Sequence, residues 1–218
     1  MAVRLLEMRP QKPTAVHHTG NLCELVCSNS LKSTKPDSAA GLLKRELDVL
    51  GSPVLAAARR HAVPAGGALA VDRALFSQDV TRQVEEHPLI QVEHAEAKSI
   101  PDLASQCDAL VLASGPLTSD ALSSSLMALT GSDSLAFYDA AAPVVMADSI
   151  NYERVFRQSR YEDGTGGDYL NAPFTKEEYE RFVDELLAAE RVIAKDFESK
   201  DLFQACQPIE EIARSADR

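Results

Sequence analysis

Six residues near the middle of the chain, Asp108-Ala109-Leu110-Val111-Leu112-Ala113, constrain the fold most. After the aspartate the run is apolar at every position. A strand with one wet face alternates apolar and polar residues, whereas a strand buried on both faces does not. Such strands belong to parallel sheets covered by helices. Ser114-Gly115-Pro116 ends the run. Thr118 or Ser119 then caps a helix carrying Leu122, Leu126 and Leu129, and Gly131 closes it. Strand, turn and helix in that order are the unit of an α/β domain.

The rest of the chain supplies further units. Residues 3–7 read as a short strand and residues 10–36 as a loop, with one helical turn near 22–26. Asp37 or Ser38 caps a helix that places Leu42, Leu43, Leu47 and Leu50 on one face, with Gly51 as its stop. Pro53 opens a second helix, reaching about His61, and residues 63–70 form a small-residue loop or strand. Asp72 caps a third helix, over 72–87, in which Leu75, Phe76, Val80 and Val84 recur at helical spacing. Strands follow at 89–92, 109–113 and 135–138. The helices over 72–87 and 119–130 are expected to pack on this sheet. Thr175 and Glu178 form a capping box for a helix over 175–190, a short strand lies near 193–197, and the segment 208–214 ends the chain. The fold class is α/β, with a smaller α+β lobe after about residue 136.

The formal net charge of −11 argues against a nucleic-acid partner, but the charge is not evenly spread. Residues 1–70 carry nine Lys/Arg against five acids, a balance of +4, which leaves −15 for residues 71–218. A basic first third is suited to an anionic ligand. Within it, Lys44, Arg45, Arg59 and Arg60 are the candidate phosphate contacts, extended by Arg157 and Arg160 beside the Gly-rich loop 164–167. No apolar run approaches the ~20 residues of a membrane span, and the first ten residues carry no secretory pattern. A cytoplasmic, reduced setting is expected, with the four cysteines as free thiols.

Two thiols stand out. Cys27 is followed by Ser28-Asn29-Ser30, and Cys206 by Gln207-Pro208. Polar neighbours help to hold a thiolate or a substrate carbonyl. Cys23 and Cys27 are spaced to share a helix face, but only His17 and His18 lie near, too few for zinc, so no metal is expected. Cys107 precedes the apolar run and reads as buried and structural. Glu7, at the end of the first strand, is placed to accept from a ribose hydroxyl. The Gly115-Pro116 turn lets a backbone approach a phosphate.

Longer strings carry a resemblance. They are Glu7-Met8-Arg9-Pro10, His17-His18-Thr19, Glu24-Leu25-Val26-Cys27-Ser28-Asn29-Ser30-Leu31-Lys32-Ser33 and Gly41-Leu42-Leu43-Lys44. Further along come Val63-Pro64-Ala65-Gly66-Gly67-Ala68-Leu69-Ala70-Val71-Asp72-Arg73, Gly115-Pro116-Leu117-Thr118-Ser119 and Phe137-Tyr138-Asp139-Ala140-Ala141-Ala142-Pro143. Ser159-Arg160-Tyr161, Tyr169-Leu170-Asn171 and Cys206-Gln207-Pro208-Ile209-Glu210-Glu211 complete the series. In these strings and their order the chain resembles the folate- and FAD-dependent tRNA uracil-C5-methyltransferases (TrmFO), which are related to the GidA flavoproteins. It departs at Ala172, where that family often has a cysteine, and at Cys23, where a small residue is usual.

The resemblance implies a partial, Rossmann-like FAD-binding domain over 1–135, without the Gly-rich fingerprint, and a tRNA-facing insertion lobe over 136–218. It implies that reduced FAD carries a one-carbon unit from 5,10-methylenetetrahydrofolate to C5 of a T-loop uridine in tRNA, with NAD(P)H as reductant. It assigns Cys206 as the nucleophile and Cys27 as its partner, at a shared cleft, and Glu7, Arg9, Gly115 and Pro116 as cofactor contacts. With no fingerprint, weak flavin binding or none is expected. Two alternatives remain: a non-catalytic piece that binds tRNA but not flavin, and a GidA-type flavoprotein acting on wobble uridine.

Overall fold

The computed structural model describes residues 1–14, 16–26, 28–131, 145–159, 167–190 and 209–215. Strand β1 (Val3–Glu7) lies parallel to β5 (Ile90–His94), in a register running from Val3 opposite Ile90 to Glu7 opposite His94. Between them in sequence come β2 (Ser30–Ser33), α1 (Ala39–Val49), α2 (Pro53–Arg60), β3 (Ala62–Val63), β4 (Ala68–Val71) and α3 (Arg73–Glu85). Strands β2, β4 and β3 form an antiparallel sheet with β4 at its centre. After β5 come α4 (Ile100–Ala104), α5 (Asp120–Thr130), the two-residue hairpin β6 (Phe156–Arg157) with β7 (Leu170–Asn171), α6 (Lys176–Ala188) and α7 (Ile209–Ser215). Among the described residues no helix is long and apolar enough to cross a membrane.

Local chemistry sets the helix starts. The side chains of Ser38, Ser52, Asp72, Ser99 and Ser119 each accept from a backbone N–H three residues on. Each satisfies a donor that a helix N-terminus leaves without an intrahelical partner. Thr175 and Glu178 form both halves of the expected capping box. Gly131 closes α5 at φ 67°, a conformation that costs a glycine little.

The core lies between α2, α3 and β4. Leu55, Ala57, Ala58, Leu69, Val71, Phe76 and Val80 are buried together, and Leu25, Leu31, Leu47 and Val84 pack against them. On α1 the expected apolar face does not form: Leu42, Leu43 and Leu50 are exposed, and Gly41 and Lys44 face inward. Gly41 is required there, because a Cβ would sit 1.9 Å from the Lys35 carbonyl oxygen. The loop over 10–36 holds a strand that its composition hides, β2, while residues 22–26 make a turn rather than a helix.

The run 109–113 is not a buried strand. It has no regular structure, and Val111 and Leu112 are 83% and 39% exposed. A strand buried in a sheet needs ladders on its edges. Among the described residues β1 pairs with β5 alone, and no strand lies beside 109–113. Helix α3 does pack against β5, but α5 packs against α4 instead of a sheet. The expected strands at 135–138 and 193–197 lie outside the described residues, as does the proposed lobe boundary at 135/136.

Candidate functional site

The carboxyl ends of β1 and β5 meet at Glu7 and His94. Just beyond Glu7, the buried guanidinium of Arg9 donates from Nε to Glu7 Oε1 (3.0 Å) and from Nη2 to Glu7 Oε2 (3.0 Å). Its Nη1 reaches Glu24 Oε2 (3.2 Å) and the Thr19 carbonyl. Glu24 also accepts from the His18 and Thr19 amides and from the Thr19 hydroxyl, at 2.7–3.0 Å. The Arg9 carbonyl meets His94 Nδ1. Burial alone would push the Glu7 carboxyl up, but the hydrogen bonds and charge of Arg9 outweigh it and hold the group below its ordinary value. The same balance lowers Glu24, where the amides of His18 and Thr19 and the Thr19 hydroxyl overcome burial. Two expected cofactor contacts, Glu7 and Arg9, are therefore bonded to each other, and together they fasten the 9–24 loop to the sheet.

Cys27 and Cys206 lie outside the described residues, and so does Arg160. The chain on either side of Cys27 is firmly held. Glu24 is fixed as above, and Leu25 packs on the core. Asn29 exchanges two hydrogen bonds with Val71: its carbonyl accepts from the Val71 amide (2.9 Å), and its Nδ2 donates to the Val71 carbonyl (3.1 Å). Cys23 sits at φ 55°, in the turn that replaces the expected helix. Cys107 is exposed, with its sulfur 3.4 Å from the Leu103 carbonyl, and is not the buried structural thiol expected. The burial expected of it depended on a strand at 109–113. Among the described residues no group of three or more His, Cys, Asp or Glu is placed to hold a metal ion.

Gly115 begins a 3₁₀ turn at φ 66°, and a Cβ there would meet nothing within 4 Å. The turn is closed on itself by Thr118, whose hydroxyl donates to the Gly115 carbonyl (2.7 Å). Pro116 is the second residue of the turn, which does not follow a strand end as expected. The Gly66-Gly67 turn is clasped. The Gly66 amide donates to Asp168 Oδ2 (2.5 Å), and the Tyr169 hydroxyl donates to the Ala65 carbonyl (2.6 Å). Sequence reading missed this clasp, because its partners lie about a hundred residues apart.

The candidate phosphate contacts divide. Lys44 is buried, and its Nζ donates to the carbonyls of Leu31 (2.5 Å), Ser33 (3.0 Å) and Ala40 (3.3 Å). Burial pushes its pKa down. It fastens α1 to β2 and presents no charge to a ligand, contrary to expectation. Arg45 is exposed and bonded to the Pro36 carbonyl, and Arg157 is exposed with its Nη1 at the Gly167 carbonyl. Arg59 grips Asp48 with two 2.6 Å hydrogen bonds. Arg60 belongs to a larger cluster centred on Asp79. That buried carboxylate accepts from Arg60 Nε and Nη2, meets His61 Nε2, and accepts from Arg82 Nη2, all within 3.0 Å. Hydrogen bonds from Arg60 outweigh burial, and with His61 and Arg82 they hold its pKa at about 2. The sequence offers no signal for this hub beyond the spacing of Asp79 and Arg82 on one helix.

Residues 1–217 match the model of the family described as glucose inhibited division protein A. The chain is 55% identical over 211 residues to the methylenetetrahydrofolate–tRNA-(uracil-5-)-methyltransferase TrmFO of Geobacter sulfurreducens, covering 97% of this chain and 48% of that protein. The TrmFO of Desulfitobacterium hafniense is 52% identical over 216 residues, 99% of this chain and 48% of its own. That of Thermosynechococcus vestitus is 50% identical over 216 residues, with coverages of 98% and 46%. The chain thus spans about half the length of the curated relatives it matches. With a match running from residue 1 to residue 217, it belongs to the glucose inhibited division protein A family.

Proposed function

We propose that the chain contributes to C5 methylation of a tRNA T-loop uridine, with methylenetetrahydrofolate as the one-carbon donor. The carrying observation is identity above half, over nearly the whole chain, to relatives named methylenetetrahydrofolate–tRNA-(uracil-5-)-methyltransferase. In this reading the setting is cytoplasmic, reduced FAD carries the one-carbon unit, and NAD(P)H is the reductant.

The chain's own part is thiol chemistry. Uracil C5 is a poor nucleophile. A Cys206 thiolate adding to C6 turns the ring into an enolate whose C5 attacks an electrophilic methylene. A base, assigned to Cys27, then removes the C5 proton as the bond from the methylene to its carrier breaks; a hydride drawn from NAD(P)H reduces the exocyclic methylene to methyl, and the C6 adduct expels Cys206. Arg9, Glu24 and Asn29 hold the backbone around Cys27. The uracil must leave its stack to be reached.

The flavin fits these residues poorly. Both Glu7 oxygens already accept from Arg9, and Gly115 opens no strand-end cradle. No step is therefore routed through it. This observation favours a second reading, a folded piece that binds tRNA without flavin. One experiment separates the two. The chain is incubated with an unmodified T-loop minihelix, FAD, NADPH and labelled methylenetetrahydrofolate, beside Cys206→Ser. Label in the RNA that is lost in the variant supports methylation; RNA binding without label supports the second reading.

A further inference from the structure

The Asp79 hub holds more positive charge than its carboxylate needs. Two guanidiniums and one imidazole converge on a single buried carboxylate, and the side chains of Arg60 and Arg82 are 50% and 65% exposed. Arg60 uses Nε and one Nη2 proton on Asp79, and Arg82 uses one Nη2 proton. A guanidinium has five N–H donors in a planar fork. The rest of both forks therefore stands in a solvent-accessible position, with its orientation fixed from behind by Asp79. Nearby, Arg59 is neutralised by Asp48, so the surplus stays local to Arg60 and Arg82. Two pre-oriented forks with one net positive charge suit an oxyanion that accepts from both at once.

The geometry points to Arg60 and Arg82, anchored on Asp79 with His61, as a clamp for a backbone phosphate of bound RNA. This rests on the tRNA reading above and assigns the contact to the α2–α3 face, where Arg82 carries as much weight as Arg60. A phosphate contact gives affinity and salt dependence without base preference.

Two measurements test it on the full chain. The first is affinity for tRNA and for poly(U) against salt, for wild type, Arg82→Gln and Arg82→Lys. Arg82 is exposed enough for both variants to fold, and matched thermal midpoints check this. Arg82→Gln is expected to weaken both RNAs about threefold and to reduce the salt slope by roughly one ion. Arg82→Lys is expected to recover the slope. Unchanged affinity and slope in Arg82→Gln overturn the clamp while leaving tRNA binding intact. The second is the Nε–Hε resonances of Arg60 and Arg82 during titration with inorganic pyrophosphate. Resonances that stay still overturn the clamp whatever tRNA does. Resonances that move while wild type fails to bind tRNA overturn the RNA assignment and leave an anion site without it.

Discussion

Arg9 and Asp79 are mirror cases of the same physics. One is a buried cation between two carboxylates, and the other a buried carboxylate among three basic side chains. Removing the central charge strands its partners. Arg9→Met should destabilise the chain by about 2–4 kcal/mol, read as a lowered urea midpoint, because Glu7 and Glu24 are then left partly buried without their cation. Asp79 predicts a pH dependence. Its folded pKa, about 2, lies below the ordinary aspartate value, so the unfolded chain takes up this proton first. Its contribution is whole above roughly pH 4 and is lost as pH falls toward 2. Asp79→Asn should lower stability at pH 7 and flatten that part of the acid unfolding curve, as followed by circular dichroism. Neither centre was legible in the sequence as a network. Glu7 and Arg9 were singled out, but for a ligand, because spacing along a chain does not say which charges fold onto each other.

At the level of elements, what the sequence made legible was what is decided locally. Ser38, Pro53, Asp72, Ser119 and the Thr175–Glu178 box mark helix starts within a residue, because a cap acts on amides three positions away. Lys44 and the run 109–113 misled for opposite reasons. A lysine reads as surface until three backbone carbonyls are found around its ammonium, and an apolar run reads as core until its partners are sought. The two kinds of apolar site should respond differently. Phe76→Ala, in the core of α2, α3 and β4, should cost about 3–5 kcal/mol. Val111→Ser should change the urea midpoint by no more than about 0.5 kcal/mol equivalent, as for other exposed positions. A large loss at Val111 would restore the buried strand.

For the molecule as a whole, the fold regroups the basic side chains that composition assigns to the first third. Lys44 turns inward, Arg59 is matched by Asp48, and Arg82, from beyond residue 70, joins Arg60. The candidate thiols can be named from their neighbours and from family resemblance, but the distance between them is a property of the fold and cannot be read from a string.

The parallel pairing of β1 with β5 also sets an order of assembly. Val3 finds its partner only at Ile90, and parallel strands so far apart close a long loop before any ladder forms. During synthesis at about 5–20 residues per second, β1 waits roughly 4–17 s after leaving the ribosome before β5 exists. The residues of the α2–β4–α3 core are all made first, so that core can collapse while β1 is still an open edge. Nascent chains stalled with residue 85 exposed should resist protease over 53–85 and be cut at 3–7, and protection of 3–7 should arrive only once His94 has emerged.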